Sequence, residues 1–224
     1  MTTAILIPAR LASTRFPQKM LADVNGLPLI KHVYNRCLET GYDVFVLTDR
    51  TEIFDCFDRK NCILTRADHK NGTSRCMEVI GDVLNYDRYI NVQGDMPDIT
   101  VDIIKAVEQK LDYYDVATAY TVMNNQDRND PNVVKMVHNG DRAHWFLRAS
   151  LPYGDRHLGV YGYKPIAKKL YEVTEKFPEE DFESLEQLRW IQNGVKIGVT
   201  PVEFNGIEIN TPEDLKQWNQ ANCQ

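Results

Sequence analysis

In the first half of the chain, short continuous apolar runs alternate with segments whose apolar positions recur three and four residues apart. Residues 4–8, 44–47, 62–64 and 89–92 are predicted to be buried strands. The spacing of Ile30, Val33, Tyr34 and Cys37 predicts a helix over 29–38, and similar patterns predict helices over 52–58, 74–84 and 100–111. Strand and helix in strict alternation imply a mostly parallel sheet covered by helices on both faces. The second half reads differently. Residues 116–122, 133–138, 144–148 and 157–163 are predicted strands with little helix between them, which suggests an antiparallel lobe within about 115–165. Helices return over 165–174 and 183–193. A strand over 196–202 and a helix over 212–222, entered through Thr211 as N-cap and Pro212 at its first position, close the chain. The expected architecture is α/β: a Rossmann-like sheet in a single domain spanning 1–224, with the lobe as its extension.

Composition narrows the classes. The chain has 224 residues and a formal net charge of −6, with 43% hydrophobic and 26% charged residues. A nucleic-acid binder would show a basic balance, so none is expected. No apolar stretch reaches the roughly 18 residues of a membrane span, and no signal peptide is visible, so the expected location is the cytoplasm. The cysteines are odd in number and lack C-x-x-C spacing, which points to free reduced thiols rather than zinc or disulfides.

In open α/β sheets ligands sit beyond the carboxyl ends of the strands, so the loops after the first, third and fourth strands are the ones to inspect for chemistry. The first, IPARLASTRFPQK (7–19), gathers Arg10, Arg15 and Lys19 with the Ser13 hydroxyl. It lacks the glycines of a dinucleotide fingerprint or a P-loop, so phosphate recognition would come from side chains, Arg as a bidentate fork and Lys as a point charge. A solvated surface loop is the plain alternative; the position at a strand end favours the anion site. The third loop, TRADHKNGTSR (65–75), has Gly72 for close backbone approach, Thr73 or Ser74 as a cap, and Arg75 in the first helical turn. There a bound anion would offset the macrodipole's penalty on a cation, although an ordinary turn explains the loop nearly as well. The fourth, NVQGDMPDI (91–99), sets Asp95 just past a strand. A carboxylate among phosphate-seeking cations makes sense with Mg²⁺ between it and the ligand; as an isolated Gly-Asp turn it would mean little.

These loops, with PNVVKMV (131–137), HLGVYGY (157–163), ESLEQLR (183–189) and NTPEDL (210–215), resemble the CMP-Kdo synthetase family, the 3-deoxy-manno-octulosonate cytidylyltransferases, in order and approximate spacing over nearly the whole chain. The resemblance implies a reaction in which CTP and a 2-keto-3-deoxy sugar acid give the CMP-sugar and pyrophosphate, for lipopolysaccharide or capsule synthesis. It implies that Arg10, Ser13, Arg15 and Lys19 bind the CTP phosphates, with Arg75 near the nucleotide, and that Lys19, Arg15 and Asp95 carry catalysis. Asp95 and the position of Asn210 would hold Mg²⁺. Gln93, Arg148, His157, Tyr161, Glu186 and Gln187 would face the sugar, and the protein would pair as a homodimer. Without the resemblance, Tyr161 reads as a strand-face aromatic and Glu186–Arg189 as a helix-surface pair. Three departures stand out. Relatives usually carry Asp where Asn210 stands and commonly Glu at Met96, and they usually have a longer segment between Tyr153 and His157. A catalytically weak nucleotide-sugar binding protein, or an enzyme for a different 2-keto sugar acid, is the alternative these departures open.

Overall fold

The computed structural model describes residues 1–10 and 16–222. Eight helices and eleven strands are assigned among them. The first strand, β1 (Thr3–Ala9), is buried along its whole length, as a central parallel strand must be when helices cover both faces. A two-residue hairpin follows, β2 (Asp23–Val24) and β3 (Leu27–Pro28), which the apolar pattern does not signal; Asn25 and Gly26 at positive φ make its turn. Helix α1 (Leu29–Leu38) buries Leu29, Ile30, Val33 and Cys37, one stripe at helical spacing. Then come β4 (Asp43–Thr48), a single turn α2 (Thr51–Phe54), β5 (Cys62–Leu64), α3 (Gly72–Val79), β6 (Arg88–Asn91) and α4 (Val101–Lys110).

The helix predicted to reach residue 84 stops at Val79. Ile80 is extended, Gly81 takes φ 79°, and the chain turns back there. Its cap is neither Thr73 nor Ser74. Asn71 supplies it, its side-chain oxygen accepting from the Ser74 backbone N–H at 2.7 Å.

The second half holds β7 (Val116–Thr121), β8 (Lys135–His138), β9 (Ala143–Leu147) and β10 (Asp155–Tyr163). Helices α5 (Ile166–Val173), α6 (Pro178–Glu183) and α7 (Gln187–Gln192), strand β11 (Ile197–Pro201) and helix α8 (Pro212–Asn222) follow. The single helix expected over 183–193 is two. Ser184 adopts φ 53°, and the Ser184 and Leu185 N–H groups fold back onto Asp181 and Glu180 carbonyls, ending α6 before α7 begins. The Thr211 cap of α8 is as predicted, its hydroxyl accepting from Asp214 N–H.

The sheet order is β11-β7-β10-β6-β1-β4-β5, with β8 paired to β10 and β9 to β8. Only β10 runs against its neighbours on that path, and β8 and β9 extend it as an antiparallel ribbon. Chain order moves outward from β1 through β4 to β5 and then returns to β6 on the other side of β1. The chain leaves β1 toward β4 and leaves β6 toward β7, in opposite directions along the sheet, and this leaves a crevice at the carboxyl end, where open α/β sheets place ligands. Two cores flank the sheet. One packs α1 and α4 through Ile30, Val33, Ile104 and Val107, and the other packs α3, α5 and α7 through Cys76, Ala167, Leu188 and Trp190. The described cysteines are free, and no described helix is long and apolar enough to cross a membrane.

Candidate active site

The crevice holds a buried ion pair. Lys19 opens a 3₁₀ turn (Lys19–Leu21) after the first loop and is only 8% exposed; its Nζ donates to Asp95 Oδ2 at 2.5 Å. A lysine so enclosed needs a charged partner, and Asp95, just beyond β6, supplies it. The first and fourth loops thus converge.

The third loop joins them. Arg10, exposed, donates from Nη1 to the Lys70 carbonyl at 3.3 Å. Gly72 lies so close that a Cβ there would stand 3.0 Å from Pro8 Cγ and 3.4 Å from Gln93 Oε1. His69 staples the loop to α3, its ring nitrogens contacting Ser74 Oγ and the Glu78 carboxylate. Arg75 goes elsewhere. Its guanidinium turns under the sheet end, donating to Asp49 Oδ1 at 3.1 Å and to Thr65 Oγ1, and the residue is 3% exposed. Ser13 and Arg15 lie outside the described residues.

The carboxyl-terminal segment closes the crevice. Ile209 N–H donates to the Asp95 carbonyl at 2.9 Å, and Asp98 accepts from Ile207 N–H at 2.9 Å and from Trp218 Nε1 at 2.7 Å. Ile207 and Ile209 pack with Val24, Leu29 and Trp218, and Glu208 between them reaches the other way. Glu208 was not singled out from sequence, and the alternation Ile-Glu-Ile-Asn is the signal that marks it. It lies 3.7 Å from Arg156. Burial raises its pKa, Arg156 opposes the rise, and the Asp95 charge adds to it. Asp95 and Asn210 offer oxygen donors, the kind hard cations take. Among the described residues no three His, Cys, Asp or Glu side chains form a metal-ligand group. Such a donor set fits Mg²⁺ shared with substrate phosphates. Met96, where a carboxylate was noted as commoner, is buried in the core.

The residues assigned to the sugar gather around β10. Its pairing with β7 slips between Leu158 and Tyr161, a bulge whose Leu158 and Val160 carbonyls accept from the Thr118 hydroxyl. That commits the Thr118 proton, so His157 Nε2–H donates to Thr118 Oγ1 at 2.9 Å, and His157 Nδ1 carries the lone pair. Burial, helped by Arg148, drives the His157 pKa down to about 3, so the ring is neutral at ordinary pH. Tyr161 lies beside it, ring centroids 5.3 Å apart. Arg148 donates to the carbonyls of Glu183, Asn132 and Pro131, and its charge reaches His157, Tyr161 and Glu208. Gln187 is buried at the start of α7. Glu186 does not pair with Arg189; it accepts from Thr73 Oγ1 at 2.9 Å, while Arg189 grips Glu180 with two hydrogen bonds. Gln93 packs its stem 3.2 Å from where a Cβ on Gly159 would lie. A cleft of about 420 Å³ opens between the third loop and the α6–α7 corner, bordered by Asn71, Ser74, Glu186 and Arg189.

Known proteins share the sequence pattern and the fold of this chain. Residues 4–220 match the family model described as cytidylyltransferase. A 3-deoxy-manno-octulosonate cytidylyltransferase of Azorhizobium caulinodans is 39% identical over 95% of this chain and 92% of its own, and one of Bartonella henselae is 35% identical over 95% of each. The solved structure of a CMP:2-keto-3-deoxy-manno-octonic acid synthetase complexed with CTP superposes with a TM-score of 0.92 at 32% identity, covering 100% of this chain and 99% of that one. The inositol-1-phosphate CTP transferase of T. maritima shares the fold at a TM-score of 0.68 and 15% identity. With this extent of match in sequence and structure, the chain belongs to the cytidylyltransferase family, among the 3-deoxy-manno-octulosonate cytidylyltransferases.

Proposed function

We propose that this protein activates a 2-keto-3-deoxy sugar acid, 3-deoxy-manno-octulosonate, by coupling it to CTP. The observation that carries the reading is the Lys19–Asp95 pair at the switch point of the sheet, in a chain of this family. The anomeric hydroxyl forms a new O–P bond at the α-phosphorus, the bond to the β-phosphate oxygen breaks, and pyrophosphate leaves; the hydroxyl proton passes to solvent. Such transfer depends on in-line placement and on neutralising charge more than on a strong base. Lys19 and Arg10, with Ser13 and Arg15 of the same loop, grip the phosphates. Arg75, buried on Asp49, shapes the third loop beside the nucleotide. Asp95 and Asn210 hold Mg²⁺, which when bound supplies charge neutralisation along the phosphates. Gln93, Arg148, His157, Tyr161, Glu186 and Gln187 line the sugar side. The enzyme works in the cytoplasm as a homodimer, and the exposed Val122 and Tyr153 on the lobe within about 115–165 support a contact face there.

The test is pyrophosphate release from CTP, Mg²⁺ and the octulosonate. Turnover is expected, with none when Asp95→Asn replaces the wild type. CTP binding with no release at any metal concentration would make the chain a binding protein, and release only with another 2-keto sugar acid would reassign the substrate.

A further inference from the structure

Between Gln93 and Glu186 runs a line of buried polar side chains from four separate segments. Gln93 Nε2 donates to Asn91 Oδ1 at 3.3 Å, and Asn91 Nδ2 donates to the Tyr163 hydroxyl at 3.3 Å. That hydroxyl faces the Thr73 side chain, and Thr73 Oγ1 donates to Glu186 Oε1 at 2.9 Å. Asn91 and Tyr163 are 0% exposed and Thr73 2%, so water does not complete these bonds.

Counting protons fixes the direction of the chain. An ionised carboxylate only accepts, so the single Thr73 proton goes to Glu186. Thr73 Oγ1 then has only lone pairs to turn toward the Tyr163 hydroxyl, whose own lone pair accepts from Asn91. The Asn91 amide is thereby oriented with its nitrogen toward Tyr163 and its oxygen toward Gln93, and Gln93 must turn its nitrogen inward. The Gln93 amide lies flat against Gly72, with Oε1 and Nε2 at 3.4 and 3.5 Å from the position a Cβ would take. It has no room to tumble. Between the two ends, Asn91 and its neighbours both donate and accept, an arrangement in which successive bonds polarise one another.

We infer that this relay is a specificity device: Asn91, Thr73 and Tyr163 are positioning residues that hold the Gln93 carbonyl and the Glu186 carboxylate as a matched pair of acceptors for hydroxyl groups of the sugar acid. This rests on the reading above that Gln93 and Glu186 face the sugar. A polyol presents donors, and two fixed acceptors select for hydroxyls at two places while rejecting analogues that lack one, since a buried acceptor is then left unpaired. Among the described residues the relay shares no hydrogen bond with the Lys19–Asp95 pair, so phosphate binding is left alone.

The test uses Tyr163→Phe, which removes one oxygen and keeps the ring between Tyr161 and Trp190. Thr73→Val and Thr73→Ser form a second pair, the first breaking the relay and the second preserving its hydroxyl. The expected result is a KM for the octulosonate raised about tenfold in Tyr163→Phe and Thr73→Val, the size of one unsatisfied hydrogen bond, with CTP affinity by calorimetry unchanged. Discrimination against deoxy analogues of the sugar acid should shrink in the same two variants, and Thr73→Ser should recover both quantities relative to Thr73→Val. The inference is overturned if Thr73→Val keeps the wild-type sugar KM and discrimination, or if Thr73→Ser is as impaired as Thr73→Val; this pair decides even if Tyr163→Phe does not fold. Wild-type protein that binds CTP and turns over no sugar acid refutes the functional reading itself, before any variant is compared.

Discussion

His157 shows how far a residue's surroundings can override its type. An imidazole ordinarily titrates near pH 6.5; this one is sealed between Phe146, Tyr161 and the Thr118 hydroxyl, and its pKa falls to about 3. Between those two values the unfolded chain takes a proton that the native protein refuses. Native stability is therefore intact above pH 6.5 and declines as pH falls toward 3, with this one residue contributing a slope of about 1.4 kcal/mol per pH unit. Urea titrations from neutral pH to about pH 5 should show His157→Gln with a slope shallower by that amount; an unchanged slope would mean the ring is not held neutral. Lys19 carries a binding prediction. Lys19→Ala should weaken CTP by about 1–3 kcal/mol, the range for a hydrogen bond to a charged group, and unaltered affinity by calorimetry would remove it from the phosphate site. Asn210→Asp should lower the concentration at which Mn²⁺, followed by its paramagnetic signal, binds the CTP complex. If that midpoint stays put, Asn210 is outside the metal's surroundings. The meeting of Lys19 and Asp95 was legible from sequence because both lie in loops that leave the carboxyl ends of strands, where an α/β sheet puts its ligand. Glu208, Asn91, Thr73 and Tyr163 were not. Apart from Gln93, two residues from Asn91, their partners lie tens of residues away, and Asn, Thr and Tyr in strands or helix starts are ordinary residues until the fold closes them off from water.

At the scale of elements, the apolar period found the parallel strands and α1 within a residue or so, because a strand buried on both faces leaves little room for polar residues. It failed where a single backbone angle decides. Leu185, Leu188 and Ile191 keep helical spacing through 183–193, yet Ser184 at φ 53° divides α6 from α7, and no glycine marks the break. The break matters, since it turns Glu186 toward Thr73 and not toward Arg189. A second such joint is the stretch before α8, which ties Ile209 to the Asp95 carbonyl and brings Glu208 within reach of the Asp95 charge, without regular structure of its own. Asp98 holds it, accepting from both the Ile207 backbone and the Trp218 indole. Asp98→Ala leaves both donors without that acceptor and should cost about 3 kcal/mol in urea unfolding, with a shift in tryptophan emission as Trp218 loosens. A loss of less than about 0.5 kcal/mol, the level of an ordinary surface substitution, would show that the segment is held by its isoleucines alone.

Across the whole molecule, the chain is acidic, with a net charge of −6, while its switch-point crevice brings Arg10 and Lys19 toward the same strand end. The pocket's walls come from distant parts of the chain: the first loop from β1, the third from β5, the fourth from β6, and the final segment from before α8. A ligand that spans them binds only the folded state, so it must stabilise the entire domain and not a local patch. At CTP a hundredfold above its Kd, linkage gives about 2.7 kcal/mol. For a chain of this length that corresponds to a rise in Tm of about 5–10 °C. Thermal unfolding with CTP and Mg²⁺ should show this rise in the wild type. It should survive Arg36→Ala, which removes an exposed helix-surface partner of Glu39, and fall to between about a tenth and two-thirds of its size in Lys19→Ala at the same CTP concentration. Equal rises in all three proteins would place the nucleotide away from the crevice. No rise in any, at CTP concentrations in the millimolar range, would mean that the cations after β1 serve the surface and not a triphosphate.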